Sequence, residues 1–564
     1  MSWNEEWVLA WPKALEAWSA YTLLREPLMC RGSVIADNDM QGQIAATRFT
    51  DQRVMINCEE IEKLGLQAQA LAVLAHEVGH HVYAPGNMAD QGRCLAAMTR
   101  MLAGVAPAQV HMCANLYQDL LINDRLQRRV QIDESAVYKL LRIAAEGHDS
   151  GMLWQVYTRT YEHLWRLPPL TLCTAGLPDD AEADSLLLSR LIRHFAGRWL
   201  AGARRFAAIV YRYLAEDAEK FPADASMHGK GHRHVKDGEV PDGLCEISDE
   251  EEGDDESFDA ALGDRLPKKK AAAGTGGQYR EPFAYGELIK SLGIALPEDE
   301  VIARYYRERA LPHLLPFPER RRSRGTEPLP EGYATWQVGD SVESIDIFGS
   351  LTQSPVMIPG VTTVQREYGE VPGTEPGRTP VNLDIYIDCS GSMPNPAGST
   401  SYLALAATIL SLSALRVGAA VQATLWSSPN VFKTSNGFIR DEKEILKLCT
   451  GFVSGSTAFP LHVLRDTYAS RTAADAPVHI VVISDDGADT MLAKDERGSD
   501  GANICIEALR KARAGGTLVL NIPSPEWPAR KALEKIGFKV HAVSDWSALQ
   551  NFARAFVRDT YGAV

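Results

Sequence analysis

The chain has 564 residues, 58 of them basic and 73 acidic, for a net charge of −15. Such a length predicts several domains, and the acidic balance excludes binding driven by neutralising nucleic-acid phosphates. The nine cysteines are scattered with no close Cys-x-x-Cys pair, which excludes a disulfide framework or a cysteine-based zinc site and favours a reducing compartment.

Residues 1–220 read as mainly helical, with one short strand at Arg53–Asn57. The first residues lack a basic segment ahead of an apolar core, so no secretory signal is expected. Good helix formers with apolar residues at three- and four-residue spacing predict a helix over Gln67–Val82. Amphipathic helices are expected at Ala114–Leu126, Asp184–Leu200 and Gly202–Glu219. Residues 221–280 then lose large apolar residues. Ten acidic and no basic residues fall in Glu246–Asp264, and a flexible acidic, Gly-rich linker is expected. His228, His232 and His234 read as part of that solvated tract. Residues 281–375 are a connecting region of mixed character, with a helix near Glu298–Ala310 and a short folded piece at Trp336–Asp346.

From about 376 to 564 the pattern becomes regular. Strands are expected at Leu383–Ile387, Val421–Trp426, Val431–Phe438, His479–Ser484, Thr517–Ile522 and Lys539–Val543. Helices are expected at Ser401–Leu415, Glu442–Cys449, Phe459–Ala469, Ile504–Ala514, Pro528–Ile536 and Trp546–Arg558. Continuous apolar strands alternating with helices predict a doubly wound α/β domain with a mostly parallel sheet. The apolar stretch Tyr402–Trp426 is interrupted by Arg416 and Gly418 and is no membrane span. A soluble, cytoplasmic protein is expected.

Two motifs carry chemistry. In the first helix, His76-Glu77-Val78-Gly79-His80 places two imidazoles at i and i+4 on one face, able to share a zinc ion, with Glu77 beside them as general base. His81, at i+5, turns away from that face. Gly79 allows another segment to approach closely. A third ligand is sought in Ala114–Leu126, where Asn115, Asp119 and Asn123 fall at i, i+4 and i+8. Asp119 is chosen because a carboxylate on that half-apolar face needs a partner. Asp124 can pair with Arg128 instead, and Asp90 and His111 stay open as alternatives. The strand Arg53–Asn57 is the expected edge for an extended peptide.

The second motif is Asp388-Cys389-Ser390-Gly391-Ser392 at the end of a strand. Short oxygen ligands on a tight loop suit Mg²⁺ or another hard divalent cation. Gly455-Ser456-Thr457 adds a hydroxyl, and Asp485-Asp486-Gly487, ending another strand, adds a carboxylate; Asp485 is preferred because it directly follows the strand.

Over residues 376–564 this pattern resembles the von Willebrand factor A (vWA) family. The resemblance implies a metal-ion-dependent adhesion site with Asp388, Ser390, Ser392, Thr457 and Asp485 as direct or water-mediated ligands, at which a partner's carboxylate completes the coordination. The His-Glu-x-x-His helix with its later Asn-x-x-x-Asp-x-x-x-Asn resembles the zincin-like metallopeptidase domain fused to vWA domains in bacterial proteins. That architecture accompanies MoxR-type AAA+ ATPases, which implies an ATPase partner. No Gly-x-x-x-x-Gly-Lys-Ser/Thr occurs here, so any ATP-driven step is expected in trans. Two functions follow as expectations: a zinc metallopeptidase whose vWA domain docks a client or ATPase, and a non-catalytic vWA adaptor of a MoxR or chelatase-type machine with a structural or vestigial zinc site.

Overall fold

The computed structural model describes all residues except 1, 50, 147–149, 221–239, 253–254, 267–277, 322–325, 373–377, 523–526 and 562–564. They divide into two units: Met1–Glu308 with Ala397–Thr400, and Arg309–Pro396 with Ser401–Val564.

The first unit opens with α1 (Trp3–Glu16), followed by β1 (Arg25–Cys30), α2 (Ser33–Asp37), β2 (Ala45–Arg48), β3 (Arg53–Asn57) and α3 (Cys58–Lys63). The three strands form one sheet in the order β1-β3-β2, with β3 parallel to β1 and antiparallel to β2. β3 is therefore the centre of the sheet, not the edge expected for it. β1 and β2 give no clear sequence signal because Arg25–Cys30 and Ala45–Arg48 are short and lack a period-two pattern.

A 3₁₀ turn at Gln67–Gln69 leads into α4 (Ala70–Val82), whose buried side includes Val73, Leu74 and Val78. Gly79 has the packing role expected of it: a Cβ built there would lie 2.6 Å from both Ile122 Cγ2 and Trp18 Cζ2. The Trp18 indole N–H donates to the Ala75 carbonyl at 2.7 Å, anchoring the ring against this helix.

Next come α5 (Met88–Met101), α6 (Pro107–Arg125), α7 (Glu134–Ala144), α8 (Met152–Trp165), α9 (Asp179–Phe195) and α10 (Trp199–Lys220). α6 starts with Pro107, where a missing N–H costs nothing. α9 stops before the expected Leu200, since Gly197 interrupts the helix and α10 begins at Trp199.

The expected flexible linker needs correction in its described part. Residues 221–239, including the three histidines, lie outside the described residues. Beyond them come β4 (Glu246–Ile247), α11 (Asp249–Glu252), α12 (Glu256–Leu262), β5 (Gln278–Tyr279), α13 (Pro282–Ser291) and α14 (Glu298–Ala310). The acidic run finds its cations within the chain. The Arg205 guanidinium, buried on α10, donates to both Asp259 oxygens at 2.5 and 2.9 Å. His194 meets Asp255 at 2.6 Å, and Arg280 pairs with the buried Glu251. Phe258 and Leu262, four apart on α12, are buried, with Phe258 edge-on to Phe195. Charge neutralisation and one apolar stripe thus order a segment that composition reads as solvated.

The second unit contains β6 (Glu319–Arg321), β7 (Thr326–Thr335), α15 (Ile347–Gln353), β8 (Val364–Pro372), β9 (Arg378–Pro380) and β10 (Asn382–Asp388). β7 and β8 form an antiparallel ribbon in the region left unassigned from sequence. After β10 come α16 (Tyr402–Arg416), β11 (Val421–Ser428), β12 (Val431–Thr434), α17 (Glu442–Cys449), α18 (Leu461–Ala469), β13 (Val478–Ser484), α19 (Gly501–Ala512), β14 (Arg513–Leu520), α20 (Arg530–Ile536), β15 (Phe538–Ala542) and α21 (Trp546–Tyr561). The sheet order is β12-β11-β10-β13-β14-β15, parallel throughout except for edge strand β12.

Every residue of β13 is buried, so both sheet faces are covered. Side chains alternate along β10. Asp384 accepts from the Tyr468 hydroxyl of α18 at 2.9 Å, and Tyr386 packs on Phe459. Residues 383, 385 and 387 point to the opposite face. Strand order reverses between β10 and β13, and in such sheets ligands bind at that switch point, beyond the carboxyl ends of the strands.

Candidate metal centre and a second polar cluster

His76 and His80 project from α4, and Asp119 from α6, which packs against it. The two Nε2 atoms are 3.1 Å apart, and Asp119 Oδ1 lies 3.5 Å from His76 Nε2 and 3.3 Å from His80 Nε2. Donors bound at about 2.0–2.1 Å to one tetrahedral ion sit about 3.3 Å from each other. The triangle therefore has the size of a metal site, and it is the one group of three such donors among the described residues.

Outer partners fix which atoms face inward. His80 Nδ1 lies 2.9 Å from the Ala84 carbonyl, which only accepts, so Nδ1 carries the hydrogen. Asn123 donates through Nδ2 to the Tyr161 and Tyr138 hydroxyls at 2.8 and 3.1 Å. That orients its Oδ1 as acceptor for His76 Nδ1, 2.6 Å away. The Tyr138, Tyr157 and Tyr161 hydroxyls form a triangle of 2.9–3.0 Å sides that holds the amide in place. In the neutral rings both Nε2 lone pairs then point at Asp119 Oδ1, which is buried without a hydrogen-bond partner. Asn115 Nδ2 holds the other oxygen at 3.2 Å.

Three lone pairs converging on one point demand a cation. Protonation answers the same demand: burial lowers His76, but the hydrogen bond and charge of Asp119 outweigh it and raise His76 to about 10. Burial likewise raises Asp119, but hydrogen bonds from His76 and His80 prevail and hold it well below the usual carboxylate range.

Glu77, 6% exposed, lines a cleft of about 150 Å³ beside the triangle. The Thr47 hydroxyl on β2 lies 2.9 Å from Glu77 Oε2 and 3.1 Å from its carbonyl oxygen. Thus β2, not β3, is the edge strand next to the site. Gln43, Ile44 and Ala45 also line the cleft. Glu134, at the start of α7, is 2% exposed, and burial pushes it up to about 8.

The alternative ligands lie elsewhere. Asp124 pairs with Arg128 at 3.3 Å and Arg193 at 3.8 Å, and Asp90 pairs with Arg93 at 2.8 Å. His111 on α6 and His81, which packs on Phe49, are outside the triangle. Sequence reasoning missed Thr47, Glu134 and the tyrosines. Only Tyr157 and Tyr161, at i and i+4 on α8, left a trace.

The second unit gathers Asp388, Ser390, Ser392 and Asp485 at the carboxyl ends of β10 and β13. Asp388 Oδ1 accepts from the Ser390 N–H at 2.8 Å, and Oδ2 from the Ser484 hydroxyl at 2.5 Å. Ser390 and Ser392 hydroxyls are 3.2 Å apart, and Ser392 donates to Asp485 Oδ2 at 2.5 Å. Asp485 Oδ1 caps the following turn by accepting from the Gly487 N–H at 2.9 Å. Asp486 is exposed, so Asp485 is the carboxylate that joins the cluster. The 454–457 loop closes it: Gly391 N–H donates to the Gly455 carbonyl at 3.2 Å. Thr457 packs on Gly487, where a Cβ would meet its methyl at 2.1 Å. Burial, against hydrogen bonds from Ser484 and Ser390, raises Asp388 to about 6.

Set against models of known protein families and against curated proteins, the chain matches none. No described helix is long and apolar enough to cross a membrane.

Proposed function

We propose that the first unit is a zinc-dependent, zincin-like hydrolase of peptide bonds, and that the second is a vWA-type docking module holding a partner or substrate through Mg²⁺ or a similar cation. The observation that supports the first half is the convergence of two Nε2 lone pairs and a partnerless buried carboxylate oxygen at metal-ligand spacing. His76, His80 and Asp119 would hold the ion. Zinc bound there supplies a Lewis acid and lowers the pKa of a bound water towards neutrality.

The chain's own residues supply the rest. Asn123 and the Ala84 carbonyl keep hydrogens on the Nδ1 atoms, so the Nε2 atoms stay available. Glu77 has Oε2 beside the Thr47 hydroxyl, and its carboxylate accepts a proton from water in the cleft and returns it to the leaving amine. The open edge of β2 pairs with an extended peptide. Three protein ligands beside an open cleft favour catalysis over a structural role, since structural zinc sites are closed by four ligands.

The second half rests on the oxygen cluster at the sheet's switch point. A MoxR-type AAA+ ATPase or a protein client docking there would supply a carboxylate to the cation.

Metal analysis of the purified chain, with Glu77→Gln beside it, tests the first half. We expect about one zinc per chain in both proteins, and hydrolysis in the unsubstituted protein alone. Zinc-free protein in which Glu77→Gln changes nothing defeats the reading. For the second half, Asp388→Ala or removal of Mg²⁺ should abolish capture of the partner; capture insensitive to both rules it out.

A further inference from the structure

The cleft beside the metal triangle has a second chemical character. Besides Glu77 and Asp119 it is lined by Glu134, and among the described residues no lysine or arginine lines it. Glu134 is 2% exposed, and its Oε1 is buried with no hydrogen-bond partner. A buried carboxylate oxygen without a partner is costly and is kept where something pairs with it. Three aromatic rings stand around the same space: Tyr138, Trp154 and Tyr157. Trp154 lies 5.1 Å from Tyr157, and Tyr138 is 6.3 Å from Tyr157, centre to centre. An aromatic wall with a carboxylate at its side is the environment that takes an organic cation, through ring faces and one ion pair.

A second metal ion is a poorer occupant. Among the described residues Glu134 belongs to no group of three carboxylate, imidazole or thiolate donors, and a hard cation needs more oxygen ligands than it offers. A neutral apolar side chain would fill the aromatic wall but leave Glu134 Oε1 unpaired.

We propose that this cleft selects a substrate with an ammonium or guanidinium side chain next to the reacting bond, a lysine or arginine residue, and that Glu134 is the specificity-determining group. The proposal rests on the zinc hydrolase reading, since the metal triangle positions the reacting carbonyl.

The test compares two hydroxamate probes on the zinc-loaded full chain by calorimetry: lysine hydroxamate, and norleucine hydroxamate, which has the same straight-chain shape without the charge. Both carry the same zinc-binding group, so only the side chain differs. In the unsubstituted protein lysine hydroxamate should bind about tenfold or more tighter, as expected for a desolvated ion pair. In Glu134→Gln the ratio of the two Kd values should fall to within about twofold. Should that variant fail to fold, the ratio in the unsubstituted protein decides alone. Zinc-dependent binding of both probes with equal Kd overturns the selectivity and leaves the hydrolase reading standing. Binding of neither probe to zinc-loaded protein overturns both.

Discussion

The two candidate sites differ in how their polar atoms are satisfied. In the first unit, His76, His80 and Asp119 turn lone pairs towards one another, and the hydrogens of the rings are engaged elsewhere by Asn123 and Ala84. In the second, the oxygen groups satisfy each other: Ser484 donates to Asp388 and Ser392 donates to Asp485. The first arrangement needs a proton or a metal ion to join its acceptors, while the second is satisfied by its own hydroxyl hydrogens. Preorganisation of this kind separates a resident ion from an exchangeable one, because little need be rearranged to bind the former. The expected hierarchy is a tightly held ion in the first unit and a weak, partner-dependent one in the second.

The strongest way to break that comparison is Asp119→Ala. It should remove zinc and hydrolysis together, by more than the 10–100-fold that loss of an outer partner costs, roughly, while Mg²⁺ binding in the second unit stays as it was. Zinc retained at full affinity would show that Asp119 is no ligand. Glu77→Gln sharpens it: turnover should fall about 10²–10⁴-fold with zinc content intact. Asn123→Ala should weaken zinc by about 10–100-fold without abolishing it, because the His76 ring loses the acceptor that fixes its tautomer. Competition with a zinc-sensitive dye reads each value.

In the second unit the effect is smaller and depends on pH. Asp388, ordinarily near 3.8, is raised to about 6 by burial. The folded state therefore holds this proton more tightly than the unfolded chain. Its stabilisation is fully present below about pH 4 and is lost as pH rises through about 6, on the order of 3 kcal/mol. Mg²⁺ should remove the loss, since the cation replaces the proton. Urea unfolding between pH 4 and 7, with and without Mg²⁺, measures this. Asp388→Asn should flatten the dependence in the absence of the ion.

Legibility followed sequence distance. The His76/His80 pair and the i, i+4, i+8 series Asn115, Asp119, Asn123 are local periodicities, and helix geometry alone puts each on one face. The strands of the α/β sheet were readable because burial on both faces makes them continuously apolar. Glu134 and Thr47 left no signal, because a polar residue at a helix start or in a short strand is ordinary until the fold brings it to a cleft. The acidic run misled for a related reason: the basic partners of Asp255 and Asp259, such as His194 and Arg205, lie more than fifty residues away. Composition reports the charges of a segment but not the cations that will meet them.

The least disruptive probe of the first site is Gly79→Ala, where two effects oppose each other. Alanine gains roughly 1 kcal/mol of helix propensity over glycine. Against this, its methyl would stand 2.6 Å from Ile122 Cγ2 and from the Trp18 ring. Ile122 is fully buried, and the Trp18 indole is tethered to the Ala75 carbonyl, so neither yields freely. Overpacking of this kind costs about 1–3 kcal/mol, so a modest net destabilisation is expected. Because Ile122 lies between the site residues Asp119 and Asn123 on α6, pushing that helix away also lengthens the distances to His76 and His80. Zinc affinity should then fall along with thermal stability in Gly79→Ala. A variant that melts earlier but binds zinc as before would separate the packing of these helices from the geometry of the triangle.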